Sequence, residues 1–478
     1  MVFASTTFIF IFLPITFFLY FLSPNKFKNF ILLLASLVFY SWGGLKYTII
    51  LLSSIVFNYF IAIMIDSRPA LKYKGLRKFY LIIAIMFNIG VLFFYKYFNF
   101  FVDNLNIIFS IVNLKQLEVT KIVLPVGISF FTFQILSYII DVYRNEVNVQ
   151  KNIIKLALYI ALFPQLIAGP IVRYIDIENM MNSRNIDIHS IRLGIERFII
   201  GLGKKVILAD TMGKMADNYF NNLDNISTPM AWLMGITYSL QIYYDFSAYS
   251  DMAIGLGKVF GFEFLENFNY PYISKNIKEF WRRWHISLST WFRDYLYIPL
   301  GGNRKGALKT YRNLLIVFFV TGLWHGASWT FVFWGLYHGM FLLIEKKTKI
   351  DDFFENRRFI ARIYTLVVVM IGWIFFRADT INKAFHIIIN LFNFNFTNYR
   401  FVFSEAKFSN ILFLLLAIFF LKPRYKSFIN FINSIKSYDE KVFYRVLCVY
   451  DLLLILLFVV EICFVTSTDF NPFIYFRF

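Results

Sequence analysis

Thr321-Gly-Leu-Trp-His325-Gly326-Ala-Ser-Trp329 sets a single imidazole inside an apolar, aromatic run that extends from Leu314 to Ile344. Arg312 precedes the run and Lys346 and Lys347 follow it, so the positive-inside tendency puts both ends on the cytoplasmic face of a membrane. A segment with both ends on one side goes in and comes back. Folded in half it has two arms of about 15 residues, short of the ~20 that a full crossing takes. Charge and length therefore predict a re-entrant hairpin, bent near His325 and Gly326, that carries the histidine part-way through the bilayer. An ionisable group at that depth is costly and marks a pathway or a reaction centre. Imidazole can take up and return a proton near neutral pH. The structural alternative is a histidine that hydrogen-bonds a neighbouring helix.

The surrounding chain has a membrane composition. Of its 478 residues 59% are hydrophobic and 16% charged, and the mean hydropathy is +0.60, outside the range of soluble globular chains. Apolar runs at 8–22, 30–42, 48–65, 79–98, 122–140, 153–167, 191–208, 230–244, 314–344, 363–376, 411–421 and 446–465 predict an all-α polytopic protein with roughly 10–12 transmembrane helices. Several runs are short, so re-entrant and interfacial helices are expected beside them, with their backbones covered by protein or a water-filled cavity. The net charge of +19 comes from Lys/Arg clusters between these runs. That is the positive-inside pattern and not a nucleic-acid face, and it puts the N-terminus and the tail after Thr466 outside.

The first apolar run lacks a basic segment before it and a small-residue cleavage site after it, so it reads as the first membrane helix. Cys448 and Cys463 share a late apolar run and imply neither a disulfide nor a metal site. One integral-membrane domain spans 1–478: N-terminal helices over 1–141, a catalytic core over 142–376, and C-terminal helices with an extracytoplasmic tail over 377–478. Four of the five histidines follow residue 201, which puts the expected chemistry in the second half.

A second stretch, Lys278-Glu-Phe-Trp281-Arg282-Arg283-Trp284-His285-Ile-Ser287, continues through Trp291, Arg293 and Pro299 to Gly301-Gly302-Asn303-Arg304. On one helix, Trp281, Trp284 or His285, Leu288 and Trp291 share a face, with Arg282 and Arg293 off it. Two readings follow. One is an interfacial amphipathic helix; the other is a cytoplasmic acyl-donor site where arginines pair phosphates and His285 adds a hydrogen bond. Asp245 and Asp251 either orient a basic group of the site or form caps and buried ion pairs. His338 reads as structural, and His189 and His386 as solvated loop residues.

Trp-Arg-Arg-Trp-His285-Ile-Ser-Leu-Ser, Tyr297-Ile-Pro-Leu-Gly-Gly-Asn303-Arg304 and Gly322-Leu-Trp324-His325-Gly-Ala resemble the membrane-bound O-acyltransferase (MBOAT) superfamily. Within it, the chain resembles the bacterial alginate and peptidoglycan O-acetyltransferase membrane subunits. Leu124-Pro-Val-Gly-Ile-Ser-Phe-Phe131, Phe163-Pro-Gln-Leu-Ile-Ala-Gly-Pro170, Tyr243-Tyr-Asp245-Phe-Ser-Ala-Tyr-Ser-Asp251 and Phe473-Ile-Tyr-Phe476 extend the match over most of the chain. The resemblance implies a helix bundle around a central tunnel in the bacterial cytoplasmic (inner) membrane. It implies acetyl-CoA as donor from the cytoplasm, no tightly bound cofactor and no metal. A cell-envelope or exported polysaccharide is the implied acceptor, reached through a separate extracytoplasmic SGNH-type acetyltransferase partner. It makes His325 catalytic and His285 its second key histidine. Arg282, Trp284, Arg293, Asn303, Arg304, Trp324 and Asp245 are the candidate donor-binding or site-supporting residues. D-alanyl transfer to teichoic acid and a non-catalytic channel or scaffold stand as alternatives; the Gly-Gly-Asn-Arg run favours the acetyl branch.

A hydroxyl attacks a thioester at neutral pH with help from a positioned base, a contribution of about 10²–10⁴-fold. Neither histidine adjoins a serine or cysteine in a nucleophile elbow. Direct base catalysis or a carrier group remains, and Tyr475 in the tail is the carrier candidate, since a phenol with a pKa near 10 is the better nucleophile and leaving group. The alternative for residues 473–478 is an aromatic belt at the membrane interface.

Overall fold

A computed structural model describes residues 1–184, 186–224, 226–397, 402, 407–436, 439–467 and 473–474, and these are helical or irregular without a β-strand. Four helices are long and apolar enough to cross a membrane: Leu45–Ile65, Lys74–Ile111, Arg358–Arg377 and Glu440–Ser467, with shorter apolar helices at Phe8–Leu22 and Phe408–Phe419. Leu452, Ile455, Leu456 and Val459 are exposed along the last of the four, an apolar surface suited to lipid.

By length and apolarity, the described helices thus fall short of 10–12 crossings. The difference lies in long helices whose polar content is enclosed by protein. Thr228–Val259, 32 residues long, buries Asp245, Gln241, Ser247 and Ser250 among its aromatic side chains. Pro229 sits in its first turn, where a missing N–H costs nothing. Gly261, at φ +81°, ends it, and the Phe262 N–H reaches back to the Gly257 carbonyl at 2.8 Å, a left-handed C-terminal cap.

The hairpin forms with its bend where charge and length put it. Ala307–His325 is the first arm and Trp329–Thr348 the second. The arms have 19 and 20 residues and not about 15, because each helix runs past the apolar stretch into its basic flank. At 1.5 Å per residue each arm is about 30 Å long, so arm length does not hold the bend at half depth. The arms pack backbone to backbone: a Cβ on Gly322 would collide with the Phe331 carbonyl, and one on Gly335 with the Phe318 carbonyl.

The single helix expected through Trp281–Trp291 is two helices, Ile277–Arg283 and Ile286–Phe292. Trp284 is extended and His285 left-handed, at φ 45° and ψ 55°. The cause is the chain at 267–269, which takes over the hydrogen bonds at the break: Asn269 N–H donates to the Arg283 carbonyl and Ile286 N–H to the Asn267 carbonyl, both at 2.9 Å. Trp281, Trp284, Leu288 and Trp291 are all buried, so this stretch is core and does not lie on lipid. His189 and His386 are exposed, but on the helices Ile188–Gly203 and Ile381–Asn390 and not in loops. The run at 153–167 also breaks, at Leu162.

Candidate active site

His325 closes the first arm of the hairpin and is 4% exposed. A helix end leaves its last carbonyls without partners, and inside an apolar core each would be costly. Here the long N-terminal helix supplies the donors. A π-helical turn at Phe93–Tyr97 interrupts Lys74–Ile111 and turns Lys96 inward to 8% exposure, while Phe93 and Phe94 stay exposed. Tyr97 donates its hydroxyl to the Leu323 carbonyl at 2.8 Å. Lys96 Nζ donates to the carbonyls of Trp324 at 2.5 Å and His325 at 3.3 Å, and to Ser129 Oγ at 3.1 Å. Three successive carbonyls of the last turn are thereby capped. Across the bend, Ser328 Oγ accepts the Thr330 N–H at 3.2 Å and starts the second arm. Rings of Trp324, Trp334 and Phe376 surround the imidazole at 5.0, 4.9 and 5.2 Å.

His285 is fully buried, and its Nδ1 is 3.1 Å from Asn267 Oδ1. The same oxygen accepts the Ser287 N–H at 3.3 Å and the Ser287 hydroxyl at 2.9 Å, while Asn267 Nδ2 donates to Ser250 Oγ at 3.0 Å. A backbone N–H can only donate, which settles the amide's orientation and makes Nδ1 the protonated nitrogen. Nε2 is left as the acceptor nitrogen. Trp324 is the neighbour common to both histidines, 6.0 Å from the His285 ring.

Two clefts adjoin this centre. The first, about 490 Å³ of empty space, is lined by Lys96, Pro125, Gly127, Ser129, Trp324 and His325. Gly127, at φ +78°, turns the chain there so closely that a Cβ would lie 2.7 Å from the Leu166 carbonyl; two stretches singled out in the sequence, 124–131 and 163–170, meet at this wall. The second cleft, about 1150 Å³, has apolar walls with Lys278, Arg282 and Arg293 among its lining, together with Trp281 and Thr321. Arg282 and Arg293 are exposed, and Arg293 also pairs with Asp294 at 2.7 Å.

Of the residues nominated from sequence, His325, His285 and Trp324 come together, and Arg282 and Arg293 share the second cleft. Trp284 instead packs on Trp373 at 4.8 Å and Phe268 at 5.0 Å. Asn303 and Arg304 are exposed in a turn that Asn313 holds by donating to the carbonyls of Gly302 at 3.0 Å and Leu300 at 3.3 Å. Asp245 forms a buried ion pair with Lys205 at 2.6 Å, and Lys205 also meets Asp210 at 2.8 Å. Its other oxygen accepts the Ile474 N–H at 2.7 Å. Asp251 pairs with Arg197 and Lys204. Tyr475 lies outside the described residues; the preceding Phe473 and Ile474 are each 3% exposed. His338 is fully buried between Trp281 and Trp334.

Lys96 and Asn267 were not nominated. Lys96 had a legible signal, a lone cation inside the apolar run 79–98. Asn267 had none, since its importance comes from chain segments brought to it by folding. Among the described residues no three His, Cys, Asp or Glu side chains gather as a metal site.

Two buried imidazoles lie beside one indole under a capped hairpin tip in a membrane protein. The chain belongs to the membrane-bound O-acyltransferase (MBOAT) family, whose sequence profile matches residues 144–376, and it is an acyltransferase. It is 45% identical over 394 residues to the probable alginate O-acetylase AlgI of Azotobacter vinelandii, covering 82% of this chain and 78% of that one. It is 39% identical to the Pseudomonas putida protein of the same name over the whole of both chains. It is 38% identical over 430 residues to the peptidoglycan O-acetyltransferase of Helicobacter pylori, covering 83% of this chain and 80% of that one.

Proposed function

We propose that the protein moves an acetyl group from cytoplasmic acetyl-CoA across the bacterial inner membrane, as a multi-pass enzyme, for O-acetylation of a cell-envelope or exported polysaccharide. The observation that carries the reading is the placement of the two clefts on one helix. Thr321 lines the cationic cleft and His325 the other, four residues and about 6 Å of helical rise apart. A donor with phosphates suits a cleft bearing Lys278, Arg282 and Arg293, and its thioester then approaches His325 from one side while an acceptor enters from the other. The two clefts would be the mouths of one tunnel. The names of the relatives support acetyl as the group transferred.

In this mechanism His325 takes the proton of the acceptor hydroxyl as its oxygen attacks the thioester carbonyl. The C–O bond forms, the C–S bond breaks, and the proton passes to the departing thiolate of CoA. His285, held by Asn267 with Nε2 as acceptor, supports His325 through their shared neighbour Trp324. The first acceptor is Tyr475, which follows the anchored Ile474 directly in the chain, and an extracytoplasmic SGNH-type partner relays the acetyl group to the glycan.

The test uses membranes carrying the wild type, His325→Ala or Tyr475→Phe, supplied with radiolabelled acetyl-CoA or with a D-alanyl carrier protein. Acetyl turnover by the wild type and its loss in His325→Ala are expected. Full turnover by His325→Ala would refute His325 as the base, no donor turnover by the wild type would leave a channel or scaffold, and turnover of the D-alanyl donor alone would move the reading to teichoic acid. Full polysaccharide acetylation by Tyr475→Phe would remove the carrier step.

A further inference from the structure

The matched family segment begins at residue 144, yet the tip that bears His325 is held by residues 96, 97 and 129. We propose that Lys96 is a positioning residue for the reaction: its ammonium fixes the last turn of the first hairpin arm and thereby sets the imidazole of His325 relative to the cleft. The inference rests on His325 being the base.

Four observations carry it. Lys96 is buried, and its partners are oxygens of neutral groups, two of them the carbonyls of Trp324 and His325 themselves. Its side chain lines the same cleft as His325. It is directed inward by a π-helical turn, an irregularity that costs helix hydrogen bonding and recurs at functional sites. A neutral donor, Tyr97, already caps Leu323, so simple satisfaction of carbonyls does not demand a cation next to it.

The negative end of a helix dipole and a cluster of carbonyls hold an ammonium well at that place. All its N–H groups are then spent on the last turn and on Ser129, at the start of the Ile128–Arg144 helix. The clamp ties three chain regions together: the interrupted N-terminal helix, the turn at Gly127, and the hairpin tip. Because the imidazole is attached to the very residue whose carbonyl is gripped, a shift of the clamp is a shift of the base. Misplacement of a catalytic group by about 1 Å costs about a hundred-fold in rate.

The experiment compares full-length wild type, Lys96→Met and Lys96→Gln in acetyl-CoA turnover, normalised to folded protein from a thermal unfolding profile in detergent. Lys96→Met is expected to lower kcat by about a hundred-fold with KM for acetyl-CoA within about two-fold, the signature of a lost transition-state alignment. Lys96→Gln still donates to a carbonyl and is expected to recover about ten-fold of that loss. A kcat for Lys96→Met near the wild type per folded molecule, or Lys96→Gln no better than Lys96→Met, would overturn the proposal. If Lys96→Met does not fold, Lys96→Gln against the wild type decides: an unchanged kcat overturns the clamp. His325→Ala is run beside them. An active His325→Ala refutes the base, whereas an inactive His325→Ala with an unaffected Lys96→Met refutes the clamp alone.

Discussion

Replacing Asn267 by alanine takes one acceptor away from three donors. Asn267 Oδ1 receives His285 Nδ1–H, the Ser287 N–H and the Ser287 hydroxyl at 3.1, 3.3 and 2.9 Å, and the residue is fully buried. The Ser287 N–H loses this acceptor, and a stranded buried donor costs about 1–3 kcal/mol. The other two donors can rescue each other. Ser287 Oγ stands 3.5 Å from His285 Nδ1, so the hydroxyl can donate to that nitrogen once its proton has moved to Nε2. Asn267→Ala is therefore expected to lose about 2–3 kcal/mol of stability and to invert the His285 tautomer, putting a proton where the native ring presents a lone pair. If Nε2 takes part in proton handling, kcat falls by about 10²-fold or more. Ser250→Ala is the control. It removes only the acceptor of Asn267 Nδ2, costs about 1 kcal/mol, and leaves Oδ1 and the tautomer in place. The assays are thermal unfolding in detergent, acetyl-CoA turnover per folded molecule, and ¹⁵N spectroscopy of labelled histidine. A wild-type tautomer in Asn267→Ala, or an equal fall of kcat in Ser250→Ala, would refute the reasoning.

The close packing of the hairpin arms predicts that Gly335→Ala, whose Cβ meets the Phe318 carbonyl, destabilises the protein by about 1–3 kcal/mol and lowers turnover with it. Gly90→Ala, a helical position with open space around it, is expected to raise thermal stability by about 1 kcal/mol at unchanged activity. Arg282→Ala and Arg293→Ala are each expected to raise KM for acetyl-CoA about ten-fold at constant kcat, the pattern of lost ground-state binding to a charged group. A phosphate-free donor such as acetyl-pantetheine should be insensitive to both substitutions, and equal sensitivity to the two donors would sever the second cleft from phosphate recognition.

The hairpin was legible because its signals are local: basic flanks, an apolar run of fixed length, and a histidine and glycine at the bend. The break at Trp284 was not. Nothing between Trp281 and Trp291 disfavours a helix; the interruption is imposed by the Asn267 carbonyl, which accepts the Ile286 N–H, and the Asn269 N–H, which donates to the Arg283 carbonyl. Local periodicity therefore gave a face that the protein does not have. That only four described helices are long and apolar enough to cross a membrane has a related reason. Hydropathy reports contact with lipid, and Thr228–Val259 is packed in protein, so its apolar character is diluted by Asp245, Gln241 and serines that have protein partners. Lys96 could be seen as an odd cation in an aromatic run, but its purpose depends on carbonyls 228 and 229 residues away in sequence, which no spacing argument reaches.

Asp245 shows why a buried charge near a site need not touch the reacting group. It binds Lys205 with one oxygen and the Ile474 N–H with the other, near the middle of Thr228–Val259. The next residue, Phe246, contacts His285 at 4.6 Å and Phe473 at 6.4 Å, and Ser250, one turn on, holds the amide that orients His285. Six consecutive residues of one helix therefore fix both residues 473–474 and the second histidine. An interfacial belt would leave Phe473 and Ile474 at the surface, and they are inside. Residues 473–474 are thus anchored by an ion-paired carboxylate and packed against the side chain that packs on His285.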